Sequence, residues 1–230
     1  MHDPISLDHF NAIAAGYAGR TGALDPLFDA IRGELEAAVA GKDVLDVGSG
    51  GSFPFDRRLA ASLTSLDLSP AMLARVPAGV STVVADARDR MPFPDAAFDA
   101  VLFSLSLHHL VGRSLAETED GQAAAVAEAF RVLRPGGRLI VYEPILPPAL
   151  FALERALYRP ISALFALVGV PPVYFRSRAS LQRLADFEVV APRVTGWVDP
   201  LSGTFPSFLR LPIAVFPTRY ELFLARKPVG

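Results

Sequence analysis

His108 and His109 stand side by side in the stretch SLHHL, and Glu143 closes the apolar run RLIVYE just before Pro144. An imidazole beside a carboxylate is the arrangement of a general base. The carboxylate orients the ring and favours its charged form, so the ring can take a proton from an attacking hydroxyl or amine. His108 is the nearer of the two to the end of the preceding apolar run, 98–104, and is therefore the first candidate. Packing on a helix surface or in the core is the ordinary alternative for either histidine.

A second group of residues could hold a nucleotide-like ligand. The stretch VLDVGSGGS turns from apolar to acidic to glycine-rich, with Gly48, Gly50 and Gly51 inside four positions. Glycine suits a turn with positive φ or a place where a ligand presses on the backbone. At a strand end its N–H groups point outward without a side chain in the way. The dinucleotide pattern G-x-G-x-x-G is broken by Phe53, and no lysine completes a P-loop. Taken alone, the glycines could be a tight structural turn.

The next apolar run ends in LTSLD, which sets Asp67 beside the glycine loop, where it could accept from both hydroxyls of a ribose. Ser69 suits the N-cap of a helix starting at Pro70 better than Asp67 does. The third run ends in VVAD, so Asp86 could accept from an adenine amino group; the alternative is a turn residue ahead of an exposed 88–90 segment.

These residues need a scaffold that brings strand ends together. Short apolar runs at 43–47, 63–68, 82–85, 98–104 and 138–143 alternate with helical candidates at 54–61, 70–76 and 121–133. Continuous apolar strands separated by helices predict a parallel sheet covered on both faces. Ahead of the first strand, Asp25 and Pro26 open a helix with the apolar stripe Leu27, Phe28, Ile31, Leu35 and Val39, and Gly41 stops it. RPGG at 134–137 reads as a turn. Two final strands are expected at 187–190 and 220–225.

Between Glu143 and those strands, Leu150, Leu153, Leu157, Ile161, Leu164 and Val168 form a helical stripe, broken or kinked at Pro160. This stretch and the nearly uncharged PLSGTFPSFLRLPIAVFP read as covers over the strand ends.

Composition narrows the possibilities. The chain has 230 residues, half of them hydrophobic and a fifth charged, enough for a large core. A formal charge of −2 gives no electrostatic case for nucleic acid. The absence of cysteine excludes disulfides and thiolate metal sites, and His2, His9, His108 and His109 are too few and too badly spaced for a metal centre. MHDPISLDHF lacks the basic start and apolar stretch of a signal peptide. The apolar region 145–170 is interrupted by Glu154, Arg155, Arg159 and Pro160, which argues against a membrane span but is compatible with peripheral membrane contact. A cytoplasmic protein is expected.

Five motifs in order carry a resemblance. VLDVGSGGS, LDLSPAML, ADARDRMPFPDAAFDAV, SLHHL and AFRVLRPGGRLIVYEP resemble class I S-adenosylmethionine (SAM)-dependent methyltransferases, in particular the small-molecule group that includes quinone-biosynthesis enzymes. The likeness covers about residues 40–145 and extends to FNAIAAGY near the start. It implies a single α/β domain with a doubly wound, seven-stranded, mostly parallel sheet in the order 3-2-1-4-5-7-6, strand 7 antiparallel. Its parts would be an N-terminal helical cover (1–41), a SAM-binding core (42–143) and two substrate-covering insertions (144–186 and 198–218).

The resemblance also places a SAM cofactor. Gly48 and Gly50 would lie under its methionine part, with Asp46 and Ser49 steadying the loop. Asp67 would take the ribose, Leu68 and Met72 would flank the adenine, and Asp86 with Ala87 would meet its edge. Tyr17 would close over the methionyl end, and Ser104 would complete the set. The chain departs from the family pattern D-x-G-x-G-x-G at Ser52, which would cap a short helix starting at Pro54.

The expected function is therefore transfer of a methyl group from SAM to a small, apolar or aromatic acceptor, aided by His108, His109 and Glu143. Two other classes stay open: a non-catalytic SAM-binding regulator or assembly protein, and a nicotinamide-dependent oxidoreductase.

Overall fold

The computed structural model describes residues 4–17, 25–167, 169, 171–194 and 219–229. The strands β1 (Asp43–Val47), β2 (Ser62–Asp67), β3 (Ser81–Val84), β4 (Phe98–Ser104), β5 (Leu133–Leu146), β7 (Glu188–Val194) and β8 (Arg219–Arg226) form one sheet in the order β3-β2-β1-β4-β5-β8-β7. A two-residue strand, β6 (Arg176–Ser177), pairs with the end of β5. The pairs from β3 to β5 are parallel, whereas β8 runs antiparallel to both β5 and β7. This is the expected doubly wound sheet with a reversed last strand. Its reversal of order between β1 and β4 opens the crevice in which such folds bind ligands.

Each face of the sheet has its own core. On one face lies α2 (Asp25–Val39), and its predicted stripe is buried in full: Leu27, Phe28, Ile31, Leu35 and Val39 pack with Val44, Leu102, Ile140 and Tyr142. Gly41, at φ +67°, ends the helix in a conformation that suits glycine. The other face is covered by α4 (Leu115–Val132), where Ala125, Val126, Ala129 and Val132 meet Leu45, Val101, Phe103 and Val141.

The structure corrects several local expectations. The connection 54–61 is not a helix. After Phe53 and Phe55 turn into the α2-side core, only the 3-10 turn Arg57–Leu59 forms, with the Asp56 carboxylate accepting from the Arg58 N–H. Gly41 N–H donates to the Leu59 carbonyl and Ala61 N–H to that of Lys42, so the chain is drawn straight back into β2. Ser52 accordingly has no helix to cap.

RPGG does not reverse the chain either. It bulges within β5: Leu133 opposes Phe98, Arg138 opposes Ala100, and Gly136 takes φ +78°. The bulge is held by Gly136 N–H donating to the Lys227 carbonyl and Lys227 N–H to that of Gly137. The helix expected at 70–76 is the shorter α3 (Pro70–Leu73), capped by Ser69, whose Oγ accepts from Met72 N–H.

The insertion after β5 forms α5 (Pro148–Ala156) and α6 (Tyr158–Leu167), followed by α7 (Arg178–Gln182). The helix break falls at Leu157; Pro160 sits in the first turn of α6, where its missing N–H costs no bond. The buried contacts also differ from the expected stripe. Phe151 and Tyr158 pack inward against Val111, Leu146, Tyr174 and Phe175, while Leu153, Leu157, Leu164 and Leu167 are exposed. Among the described residues no helix is long and apolar enough to cross a membrane. The expected cover at 198–218 lies outside the described residues.

Candidate active site

The carboxyl ends of β1, β2, β3 and β4 surround an open cleft. Tyr17, Gly48, Asp67, Leu68, Met72, Asp86, Ala87 and His109 line it, together with Phe10 from α1 (Pro4–Ile13). The glycine loop owes its shape to close packing. Gly48 (φ +76°) and Gly50 (φ +60°) are both left-handed; a Cβ on Gly48 would come within 2.9 Å of Ser106 Cβ, and one on Gly50 would overlap Met72 Cε. Asp46 is buried behind the loop, accepting from the Ser49 hydroxyl at 2.5 Å and the Ser65 hydroxyl at 3.1 Å. Arg75 donates to the Gly50 carbonyl at 2.9 Å and stacks over the Tyr17 ring at 4.9 Å.

Charge is arranged unevenly around this cleft. Burial, partly offset by the Ser49 and Ser65 hydroxyls, pushes the Asp46 carboxyl up to about 7, and one of its oxygens, Oδ1, has no hydrogen-bond partner among the described residues. Burial likewise pushes Asp67 up to about 6, against the backbone N–H groups of Ser69, Gly50 and Leu68. Asp86 is instead gripped by Arg88, whose guanidinium spans both carboxylate oxygens at 2.7–3.1 Å. Arg88 is therefore not exposed: its side chain retains 14% of its accessible surface.

The N-terminal segment contributes more than the sequence indicated. Ser69 Oγ donates to Asn11 Oδ1 at 2.6 Å, which docks α1 on the cap of α3, and Phe10 meets the His109 ring edge-on at 5.0 Å.

On the β4–β5 side, Leu105 adopts φ +53°, an uncommon conformation for a side-chain-bearing residue, at the start of the 3-10 turn Leu107–His109. The turn aims the N–H groups of Ser106 and Leu107 at Glu143 Oε1, at 2.9 and 2.7 Å. Glu143 Oε2 meets His108 Nδ1 at 2.5 Å. The two side chains that the sequence reading set beside each other are thus in contact. His108 and Glu143 line a second, smaller cavity, whereas His109 lines the main cleft. The His109 Nδ1 is buried without a partner among the described residues, and burial holds its pKa well below the usual imidazole value, so the ring is neutral. Ser104 lines neither cavity, and its buried hydroxyl lacks a partner among the described residues. Arg75, Ser106, Leu105 and Arg176 had no sequence signal of their own: each reaches the site through a backbone turn or a distant strand.

A doubly wound sheet with a glycine loop after β1, an acid ending β2 and a cleft at the strand-order reversal defines a nucleoside-cofactor protein. The residues fit SAM. The cleft lies at the carboxyl ends of the strands, a Cβ on Gly48 or Gly50 would clash with Ser106 or Met72, and Asp67 lines the cleft beside the loop. The methyltransferase domain family matches residues 45–141.

Among characterised relatives, demethylmenaquinone methyltransferase of Mycobacterium tuberculosis (strain ATCC 25177 / H37Ra) is 34% identical over 168 residues, 68% of this chain and 67% of that protein. The enzyme of the same name from Tropheryma whipplei (strain Twist) is 33% identical over 144 residues, 58% of this chain and 56% of that protein. The chain thus spans little more than half the length of some of the relatives it matches. The crystal structure of a SAM-dependent methyltransferase, possible histamine N-methyltransferase, from Thermotoga maritima shares the fold, with a TM-score of 0.63 at 17% identity, covering 98% of this chain and all of that one. The chain belongs to the SAM-dependent methyltransferase family, with SAM as the cofactor that family uses.

Proposed function

We propose that the protein moves the methyl group of SAM to a small, apolar, quinone- or phenol-like acceptor in the cytoplasm. What carries the reading is the 2.5 Å contact between His108 Nδ1 and Glu143 Oε2 at the ends of β4 and β5, next to the cofactor cleft. When bound, SAM supplies a methyl group on a positively charged sulfur. Asp67 holds the ribose, Gly48 and Gly50 with Asp46 and Ser49 support the methionine part, and Leu68 and Met72 flank the adenine. Ala87 and Asp86 border its edge, Tyr17 covers the methionyl end, and Ser104 supports the floor from behind.

Glu143 fixes His108 with Nδ1 inward, leaving Nε2 to take the acceptor's proton. Neutral His109 forms the wall, which avoids placing a second positive charge beside the sulfonium. The 144–186 segment covers the acceptor, and its apolar contacts with Val111 and Leu146 support an apolar partner. The N-terminal 1–41 closes the other side, so that the chain works as one domain built around the 42–143 core.

The acceptor class draws support from the demethylmenaquinone methyltransferases to which the chain is similar. The test is turnover of SAM against a panel of quinols, phenols and amines. Methylation of a quinol or phenol is the expected result. Tight S-adenosylhomocysteine binding with no turnover on any member would make the protein a binder instead.

A further inference from the structure

The two helices that follow β5 gather exposed apolar side chains on one face. Phe151 of α5 and Tyr158 of α6 pack into one cluster with Leu146, Tyr174 and Phe175, which fixes the inward side of each helix. With about 3.6 residues per turn, Leu153 lies about 200° around α5 from Phe151, and Leu164 and Leu167 lie about 240° and 180° around α6 from Tyr158. These leucines therefore point outward. They are 52%, 59% and 82% exposed, and Leu157, at the joint between the helices, is 42% exposed. The other exposed positions of the two helices are alanines and prolines, together with Arg155 and Arg159. Elsewhere among the described residues, large exposed hydrophobic side chains stand singly along the chain, at Leu59, Val84 and Val229.

A single exposed leucine needs no reason, but a contiguous apolar face marks a surface that meets something apolar. The charges on it say what. Between 148 and 167 no acidic side chain is exposed: Glu154, the one acid there, is half-buried and accepts from the Phe175 N–H at 3.2 Å. Arg155 reaches Glu119 at 3.3 Å yet keeps 44% of its side-chain surface, and Arg159 is exposed with no carboxylate partner among the described residues. The chain carries a formal charge of −2 overall, so this positive excess is local. A second copy fits the face poorly. A two-fold contact would bring the arginines of both copies together and offer them no exposed acid from the opposing 148–167 segment. Outward leucines flanked by arginines are instead the pattern of a helix lying on anionic lipid, where arginine stems run along apolar surface and their heads reach phosphates.

We propose that the outward face of α5 and α6 docks reversibly on an anionic lipid bilayer, with the leucines at the boundary between headgroups and acyl chains and Arg159 and Arg155 at lipid phosphates. The helices lie along the membrane and do not enter it further; neither is long enough to cross. Their inner side packs on Val111, which also lines the cofactor cleft. Docking therefore sets the cleft beside the phase in which apolar molecules dissolve. The proposal does not depend on the methyl-transfer reading, since docking needs neither cofactor nor acceptor.

The test is flotation of the full chain, without SAM, on vesicles of phosphatidylcholine alone and of phosphatidylcholine mixed with phosphatidylglycerol. The protein should float with the phosphatidylglycerol vesicles and far less with the neutral ones, and raising the salt from about 0.1 to about 0.5 M should weaken the association. Leu164→Asp and Leu167→Asp combined in one chain should lower the partition coefficient at least about tenfold. Arg159→Gln should lower it about fivefold, on the phosphatidylglycerol vesicles only. Val84→Asp, at an apolar position of β3 that is 56% exposed, should leave it unchanged. The proposal is overturned if the unaltered protein ignores phosphatidylglycerol vesicles or binds neutral ones equally well. It is also overturned if the double leucine variant keeps its partition, or if Val84→Asp loses as much. Sedimentation velocity without lipid covers the other occupant: a dimer that the double leucine variant dissociates would give the face to a second copy and overturn the assignment to lipid. A Tm for each variant separates loss of docking from loss of folding. Calorimetry with S-adenosylhomocysteine decides the cofactor reading whichever way the flotation falls.

Discussion

The carboxyl ends of β1 and β2 and those of β4 and β5 lie a few residues apart across the cleft and handle charge in opposite ways. On the first side, the buried Asp46 and the half-buried Asp67 have neutral partners, hydroxyls and backbone N–H groups, and their carboxyls are pushed up to about 7 and about 6. On the second side, Glu143 has both oxygens committed, to two N–H groups and to an imidazole that can carry the opposite charge. The cofactor side stores electrostatic cost in carboxylates that a ligand's hydroxyls or positive charge can relieve. On the side proposed for the acceptor, the carboxylate and imidazole are already locked in geometry, as the proposed proton transfer at one fixed point would require. A protein that holds a cofactor and acts on a second molecule benefits from both: affinity from the first arrangement, orientation from the second.

The contrast is broken most directly on the acceptor side. His108→Ala should lower kcat by roughly 10²–10⁴-fold with S-adenosylhomocysteine affinity, measured by calorimetry, within a factor of two or so. Glu143→Gln should lower kcat less and move the pH optimum. Unchanged turnover in both variants would mean that alignment alone drives the reaction.

The next effect is on stability. In the unfolded chain Asp46 titrates near 3.8, and in the fold near 7. A raised carboxyl contributes stability that is complete below the unfolded value and is lost as pH rises through the folded one. The cofactor-free protein should therefore lose on the order of 4 kcal/mol from this group between pH 4 and 8. Asp46→Asn should remove that component; chemical denaturation of both proteins across the range measures the difference. Parallel pH profiles would show that Asp46 does not carry the effect.

On the same side, Asp67→Ala should weaken SAM binding by about 1.5–3 kcal/mol per lost hydrogen bond. In the unaltered protein, affinity should fall about tenfold per pH unit below the Asp67 value of about 6, as calorimetry between pH 5 and 7 would show. Wild-type affinity in Asp67→Ala would remove ribose binding from that carboxylate. The smallest change lies outside both regions. Ala96 is exposed at φ +56°, and Ala96→Gly should raise stability by about 1 kcal/mol, read as a higher Tm, by relieving the left-handed strain.

Much of the scaffold was legible because its signals are local. Five parallel strands, the α2 stripe, the glycine loop and the acids at strand ends all announce themselves within a few neighbouring residues. The missed features depend on distant partners. RPGG is a competent turn sequence, but Lys227 pairs with both its glycines and keeps it in the sheet. The 54–61 segment has helix-compatible residues, but the packing of Phe53 and Phe55 and the anchoring of Leu59 to Gly41 leave only the 3-10 turn Arg57–Leu59. The leucines after residue 150 have helical spacing, yet aromatic contacts from Phe151 and Tyr158 select the buried face. Within the site, His108 and Glu143 could be paired on paper as neighbours at the ends of adjacent strands. The grip of Arg88 on Asp86 and the approach of Arg176 could not, since one is a choice between partners and the other crosses some 30 residues of helical insertion.

The close fit between Gly50 and Met72 has a bearing on how this chain can change over generations. A side chain at Gly50 meets the end of Met72 as well as an unfavourable backbone angle, so the two positions are not independent variables. Shortening Met72 first opens the space; introducing asparagine at Gly50, a residue that tolerates the left-handed angle, is then the lesser injury. Taken in the reverse order, the same two replacements pass through a clashing intermediate. The loop's sequence is thus constrained by history as well as by chemistry, and a double-mutant cycle on Gly50→Asn and Met72→Ala should be strongly non-additive.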